Sequence, residues 1–437
     1  MEWWLIFIVV FGGLVVLLLS GLPVAFCFLV INVVGVLVFW GGEAALRQLS
    51  LSMFDSVTTF TLLPFPLFVL LGEVLFQTGL AYRAIDIVDM WLGRLPGRLS
   101  LVSVGAGVVL STLSGSSVAS VAILGSTMVP EMGKRGYQTP MTLGPIVASG
   151  CLAMMIPPSG MSVLLASLAY VSVGGLLMAG IIPGLMMAAF YAAYIIIRCF
   201  LNPSLAPAYK VAPMPLIRKI ELSVRDLVPV AIIIFLVIGV ILLGVATPSE
   251  AAAMGALGSF VLAACYRRLT WEMVKKCIFS SSKIAVMLLA IMLGAKAFGQ
   301  ILVFSGCMRG ITEWVMQLPV APITIIIGMQ AIAVILGCFM DEVAIMMMVI
   351  PLYMPIVHLL GFDPLWFSLL LLINVETGLA TPPFGLGLFV MQGVAPPGTK
   401  TGALYRSVAP FNIINLVIMG LCIVFPQIAL WLPAVIE

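Results

Sequence analysis

From residue 3 to residue 432 the chain repeats one feature that decides its solvent: apolar stretches long enough to cross a lipid bilayer. Reading apolar runs against breaks predicts spans at 3–20, 22–41, 50–76, 141–170, 172–200, 227–246, 248–266, 277–304, 365–395 and 403–432. Two further stretches, 99–131 and 321–357, are interrupted midway by short polar runs. Each leaves half-helices of roughly 15 residues, short for a hydrocarbon core of about 30 Å and suited to a re-entrant hairpin that enters and leaves by one face. Only 8% of the 437 residues are charged, against about 25% in a soluble domain, so lipid replaces water around most of the chain. The start, Met1-Glu2-Trp3-Trp4, lacks the basic region and small-residue cleavage site of a secretory signal, so the first run is expected to stay as a membrane helix.

Charge placement supports this layout. With the N-terminus outside and both broken stretches re-entrant, sixteen of the twenty Lys and Arg fall in inner loops, Arg94 and Lys210 among them. That is the positive-inside bias, and it predicts both termini on the outer face. Eight cysteines are scattered singly, without a C-x-x-C pair, and read as small core residues. No basic stripe with interleaved aromatics suggests nucleic acid. With His358 the only histidine, a histidine-built metal site is unavailable. No Ser-His-Asp or Cys-His set, phosphate-binding loop or dinucleotide fingerprint is present, which argues against an enzyme or an organic cofactor.

The chain also matches itself at an offset of 225. Val118, Ala119, Pro130, Gly136, Pro157, Pro158 and Gly160 meet Val343, Ala344, Pro355, Gly361, Pro382, Pro383 and Gly385 without a gap, and Pro23 meets Pro248. Five spans plus one hairpin per half is an odd number of crossings, so the second copy is expected upside down. The predicted fold is an all-α integral membrane protein of two inverted repeats, 1–200 and 227–437, each with five transmembrane helices and a re-entrant hairpin. A Pro-rich linker, 201–226, containing Pro203, Pro207, Pro213 and Pro215, joins them and carries no sign of its own fold. The stretches 80–98 and 305–320 are amphipathic and read as interfacial arms or plain connecting helices.

Polar groups that interrupt apolar runs are the candidates for chemistry. Ser114-Gly115-Ser116-Ser117 breaks the first hairpin; small residues and hydroxyls there either pack closely at a helix crossing or bare carbonyls for a cation and aim a helix N-terminus at an anion. Its partner is Phe339-Met340-Asp341-Glu342. An ionised carboxylate at mid-membrane costs roughly 2.5–3.5 kcal/mol on insertion scales, so Asp341 reads as a sodium ligand and Glu342 as the one better suited to a solvated vestibule. Ile156-Pro157-Pro158-Ser159-Gly160 and Thr381-Pro382-Pro383-Phe384-Gly385 unwind their helices, since consecutive prolines remove amide donors and free carbonyls. They lie beside Ser149 and Asn374-Val375-Glu376-Thr377-Gly378. Glu250 reads as structural, in a capping box with Thr247, and Glu73 as a carboxylate near an interface or paired with a buried lysine such as Lys296.

The stretches Leu63 to Glu73, Trp91-Leu92-Gly93-Arg94-Leu95-Pro96-Gly97, Ser114 to Ala119, Ile156 to Ser159, Thr247 to Ala253 and Thr381 to Gly385 resemble the large membrane subunit of the TRAP transporters (tripartite ATP-independent periplasmic transporters). The resemblance covers nearly the whole chain. It implies a bacterial inner-membrane importer with periplasmic termini, driven by co-transported sodium and served by a small four-helix membrane subunit and a periplasmic binding protein that delivers a small organic acid. It also implies an elevator-type ion-transporter fold. One sodium site would be framed by Ser114, Gly115, Ser116, Ser117 and Pro157, and another by Asp341, Thr377, Gly378 and Thr381. Ser116, Ser117, Ser159, Pro382 and Pro383 would meet the substrate carboxylate between the tips. A single-subunit sodium–dicarboxylate symporter and, from another class, an ion channel are the alternatives.

Overall fold

The computed structural model describes residues 2–39, 43–58, 62–92, 95–114, 116–207 and 215–435, with only the backbone given at 43, 44, 57, 80–82, 84 and 111–114. Gly93, Arg94, Gly115, Lys210 and Pro213 lie outside the described residues. All regular elements among the described residues are helical. Among the described residues five helices are individually long and apolar enough to cross a membrane: Val173–Leu201, Pro248–Cys265, Trp271–Phe304, Glu342–Leu359 and Thr401–Val424. Their outward faces carry large apolar side chains such as Phe200, Leu257, Phe279 and Val286 in the open. Surface of that kind fits lipid contact.

Each interrupted stretch folds as two consecutive helices packed on one another, and each polar interruption acts as a cap. In the first, Arg98–Ser114 is followed by Ser117–Lys134, whose N-cap Ser116 is extended and accepts a hydrogen bond from the Ala119 amide. In the second, Pro322–Gly337 is followed by Glu342–Leu359, whose N-cap Asp341 accepts from the Ala344 amide at 2.8 Å. A side-chain oxygen at this position satisfies an amide that the helix start leaves orphaned. The two capped helices have 18 residues each and begin 225 residues apart. The proline pairs break their helices as expected, giving Thr139–Gly150 then Gly160–Ala169, and Pro364–Leu379 then Leu386–Val394. Pro157-Pro158 and Pro382-Pro383 are both cis.

The halves interlock. Val24–Phe39 packs on Trp271–Phe304, while Pro248–Cys265 packs on Pro64–Gln77. At the first of these crossings the Asn32 amide donates to the Gly294 carbonyl at 2.7 Å, and Phe28 meets Phe298 edge-on at 5.5 Å. Near the broken segments, Leu386–Val394 leans on Ser117–Lys134, and Gly160–Ala169 on Glu342–Leu359. Each hairpin therefore rests on the other half's unwound helix.

Several sequence expectations need correction. The linker folds: Leu216–Asp226 is a helix, because Leu216, Ile220 and Val224 recur at helical spacing while Arg218, Lys219 and Glu221 fall between them. It meets Val228–Leu242 at a 48° bend. The span expected at 50–76 is two helices, Glu43–Val57 and Pro64–Gln77. Lys296 pairs with Asp55 at 2.6 Å, and Glu73 instead accepts from the Gln77 amide one helical turn on. Thr247 and Glu250 form the expected capping box.

Candidate functional site

The two hairpin tips and the two proline breaks are joined by side-chain and backbone contacts. Ser116 and Ser117 start the second helix of the first hairpin; Ser117 is buried and donates to Glu376 Oε1 at 2.7 Å. The same Oε1 accepts from the Met154 amide at 3.0 Å, within the unwound run between Gly150 and Gly160. Cys151 Sγ points its hydrogen at the Glu376 carbonyl, 3.4 Å away. One side chain from the second half thus holds the first hairpin and the first unwound run together.

Glu376 is fully buried and Glu342 nearly so, at 6% exposure; each keeps one carboxyl oxygen without a hydrogen-bond partner among the described residues. Glu342 is therefore the more enclosed of the two hairpin carboxylates, contrary to the vestibule expected for it. The reason is local: Asp341 is drawn to the helix end by its capping bond, whereas Glu342, one residue on, is carried inward by the helix. In the offset of 225, Ser117 corresponds to Glu342 and Cys151 to Glu376, so all four positions cluster around the interface between halves.

The remaining site residues fall into two groups. Ser159 is fully buried and caps Gly160–Ala169 by accepting from the Ser162 amide. Pro157 and Pro158 are buried beside it, and Ser162 Oγ donates to the Met154 carbonyl at 2.6 Å. In the second half, Thr377 Oγ1 donates to the Ile373 carbonyl and Thr381 Oγ1 to the Thr377 carbonyl. Asn412 reaches in from Thr401–Val424 to donate to the Ala380 carbonyl at 2.8 Å and to Thr381 Oγ1 at 3.2 Å. Gly378 touches Gly337 at the tip of the second hairpin, backbone to backbone. Pro382 is half-buried, and Pro383 is exposed with its carbonyl accepting from Tyr405. The first proline break is sealed while the second opens to the surface.

Ser114 ends the first hairpin's leading helix; its side chain, like all of Gly115, lies outside the described residues. Sequence reading passed over Glu376 as a bridging group, although it stood in the string flanking the second break. It also missed Asn412 and the buried pair Asn374 and Gln330, in which Asn374 Nδ2 donates to both the Gln330 carbonyl and Oε1. For Glu376 and Asn374 the available signal was an acid or amide inside an apolar run shortly before a proline pair; Gln330 and Asn412 offered only an amide inside an apolar run. Among the described residues no group of three or more metal-ligating side chains gathers. The oxygens at hand are hydroxyls, carbonyls and isolated carboxyls, which suit a hard cation or a hydrogen-bonded anion. A separate cavity of about 730 Å³, lined by Ser172, Gly174, Gly175, Thr247, Ser249 and Glu250, involves none of these residues.

Residues 11–428 match the family model of the tripartite ATP-independent periplasmic transporter, DctM component. The C4-dicarboxylate TRAP transporter large permease of Pseudomonas aeruginosa is 32% identical, covering 89% of this chain and 90% of that one. Its counterpart of the same name in Rhodobacter capsulatus is 31% identical over 98% of both. Among solved structures, the YdaH transporter of Alcanivorax borkumensis shares the fold, with a TM-score of 0.64 at 17% identity over 88% of this chain and 89% of that chain.

Proposed function

The chain belongs to the tripartite ATP-independent periplasmic transporters as a DctM component, and we propose that it is the large permease of a sodium-coupled importer of small organic acids, C4-dicarboxylates first among them. The observation that carries this reading is the convergence of two capped half-helices and two proline-broken runs on one buried cluster, with Glu376 joining parts of both halves. Helix starts at Ser117 and Glu342 turn their positive ends inward, where an anionic substrate gains from them. Carbonyls released by the proline pairs, with the hydroxyls of Ser116, Thr377 and Thr381, are oxygen donors of the kind sodium takes in broken-helix transporters.

In this reading the two halves are inverted repeats, and the hairpins move with their broken helices as an elevator past the interlocked scaffold. The protein sits in a bacterial inner membrane with periplasmic termini. It works with a small four-helix membrane subunit and with a periplasmic binding protein that hands over the substrate. Dicarboxylate-named relatives favour C4-dicarboxylates; sialic acids and sugar acids form the next class to try.

The test is uptake of radiolabelled succinate into proteoliposomes holding the complex, with an imposed sodium gradient and the binding protein outside. Uptake that requires both is the expected result. Uptake without the binding protein would assign the chain to the single-subunit symporters, and passive ion current without coupled uptake would make it a channel.

A further inference from the structure

Glu376 is placed where neither a surface role nor simple space-filling accounts for it. It sits in the last turn of Pro364–Leu379, a helix of the second half, yet both hydrogen bonds to its Oε1 come from the first half: the Ser117 hydroxyl at the hairpin tip and the Met154 amide in the unwound run. Met154 is fixed from its other side by Ser162 Oγ, which donates to its carbonyl at 2.6 Å. Two residues along the Glu376 helix, Gly378 lies against Gly337, the last helical residue before the second tip. A continuous path therefore runs from Ser117 through Glu376 and one helical segment to Gly337. No cation pairs with Glu376 among the described residues. Buried hydrogen bonds of this sort hold geometry firmly, since breaking one strands its partner in a dry interior.

We propose that Glu376 is the positioning residue that makes the two hairpin tips respond to ions as one unit, so that occupancy beside one tip prepares the other. This rests on the sodium-coupled reading above. The first tip cannot shift without loosening Ser117 or Met154 from Oε1, and the helix that carries Oε1 is the one the second tip leans on. Coupling of two sites through a shared element raises the steepness of binding toward the number of sites. The acceptor oxygen, rather than the charge, is what the strut requires.

The experiment compares sodium activation of succinate uptake by the complete complex in proteoliposomes for wild type, Glu376→Leu and Glu376→Gln, with melting temperatures measured in parallel. Wild type should activate steeply. In Glu376→Leu the Hill coefficient should fall to about 1, with half-saturating sodium raised on the order of fivefold or more. Glu376→Gln keeps an acceptor in place of Oε1 and should restore the steepness. Leu with a lowered melting temperature but unchanged steepness would reduce Glu376 to a purely structural role and overturn the proposal. Gln as shallow as Leu would also overturn it, pointing to the charge itself. Should the Leu variant fail to fold, Ser162→Ala frees Met154 without altering any group assigned to ions, and should flatten the curve in the same direction; an unchanged curve would again sink the idea. Absence of any sodium dependence in wild type would instead remove the functional reading beneath it.

Discussion

Gly337 and Gly378 face each other so closely that a Cβ built on either would lie 2.8 Å from the other's Cα. The obstruction on each side is backbone, which cannot rotate away. Here the end of the second hairpin's leading helix meets the helix that carries Glu376 and Thr377.

Gly378→Ala should therefore push the hairpin off its support. Overpacking of this kind costs about 1–3 kcal/mol, so a lower melting temperature and weaker sodium activation are expected together. Gly328→Ala is the control: it lies within the same leading helix with nothing within 4 Å of its would-be Cβ, and it should be neutral or stabilising by about 0.5–1 kcal/mol. Equal behaviour of the two variants in thermal scanning would show that the contact does not matter.

Asp341 has two separable tasks. Its Oδ1 caps the second hairpin helix by accepting from the Ala344 amide, and its carboxylate is proposed to meet sodium. Asp341→Asn keeps an acceptor at the cap, so sodium activation should weaken while stability holds. Asp341→Ala should lose both, with about 1 kcal/mol from the cap. Ser116→Ala should likewise weaken activation. Unchanged sodium curves for Asp341→Asn and Ser116→Ala would take both residues out of the ion site.

The architecture was legible in the sequence to the extent that it was punctuated by residues with one physical meaning. Ser116, Asp341 and the two proline pairs interrupt apolar runs and so mark breaks, and the described helices stop and start beside them, although the capping by Ser116 and Asp341 was not read from the sequence. The linker helix was hidden because Pro203, Pro207, Pro213 and Pro215 dominate the segment, while the amphipathic run after Pro215 is only eleven residues long. Glu376 was hidden for a different reason. Its partners, Ser117 and Met154, are more than two hundred residues away, and one of them is a backbone amide that no side-chain motif reports.

Cysteine chemistry tests the orientation drawn from the loop charges. Of the eight cysteines only Cys265 is exposed, at the end of Pro248–Cys265 and next to Arg267 and Arg268, which the charge bias puts inside. A membrane-impermeant maleimide added to sealed right-side-out vesicles should leave the protein unlabelled, and permeabilisation should admit label at Cys265 alone. Cys265→Ser should abolish that signal. Rapid labelling of intact vesicles at Cys265 would invert the proposed topology.

The folded linker is the remaining feature with a measurable consequence, because it is clamped to the first arm. Arg83 Nη1 lies 2.7 Å from Asp226 Oδ1, Trp91 Nε1 donates to Ser223 Oγ at 2.9 Å, and Lys219 Nζ donates to the Met90 carbonyl at 2.7 Å. Arg83 also stacks 5.6 Å from the centre of the Tyr266 ring, and the Tyr266 hydroxyl donates to the Arg225 carbonyl. Three segments far apart in sequence thus meet at one corner: the arm Leu80–Leu92, the linker helix Leu216–Asp226, and the loop after Pro248–Cys265. The Asp226 side chain is 10% exposed and that of Arg83 is 36% exposed, so the pair is partly screened and about 1 kcal/mol is the expected cost of breaking it. Asp226→Ala should lower the melting temperature by the equivalent of that margin while leaving the steepness of sodium activation intact, since the corner lies outside the proposed ion-binding cluster. Exchanging the two residues, as Arg83→Asp with Asp226→Arg, should recover part of the loss if attraction between them is what counts. A double variant no more stable than the sum of its single changes would show that the corner is held by Trp91, Lys219 and Tyr266 instead, with the ion pair incidental.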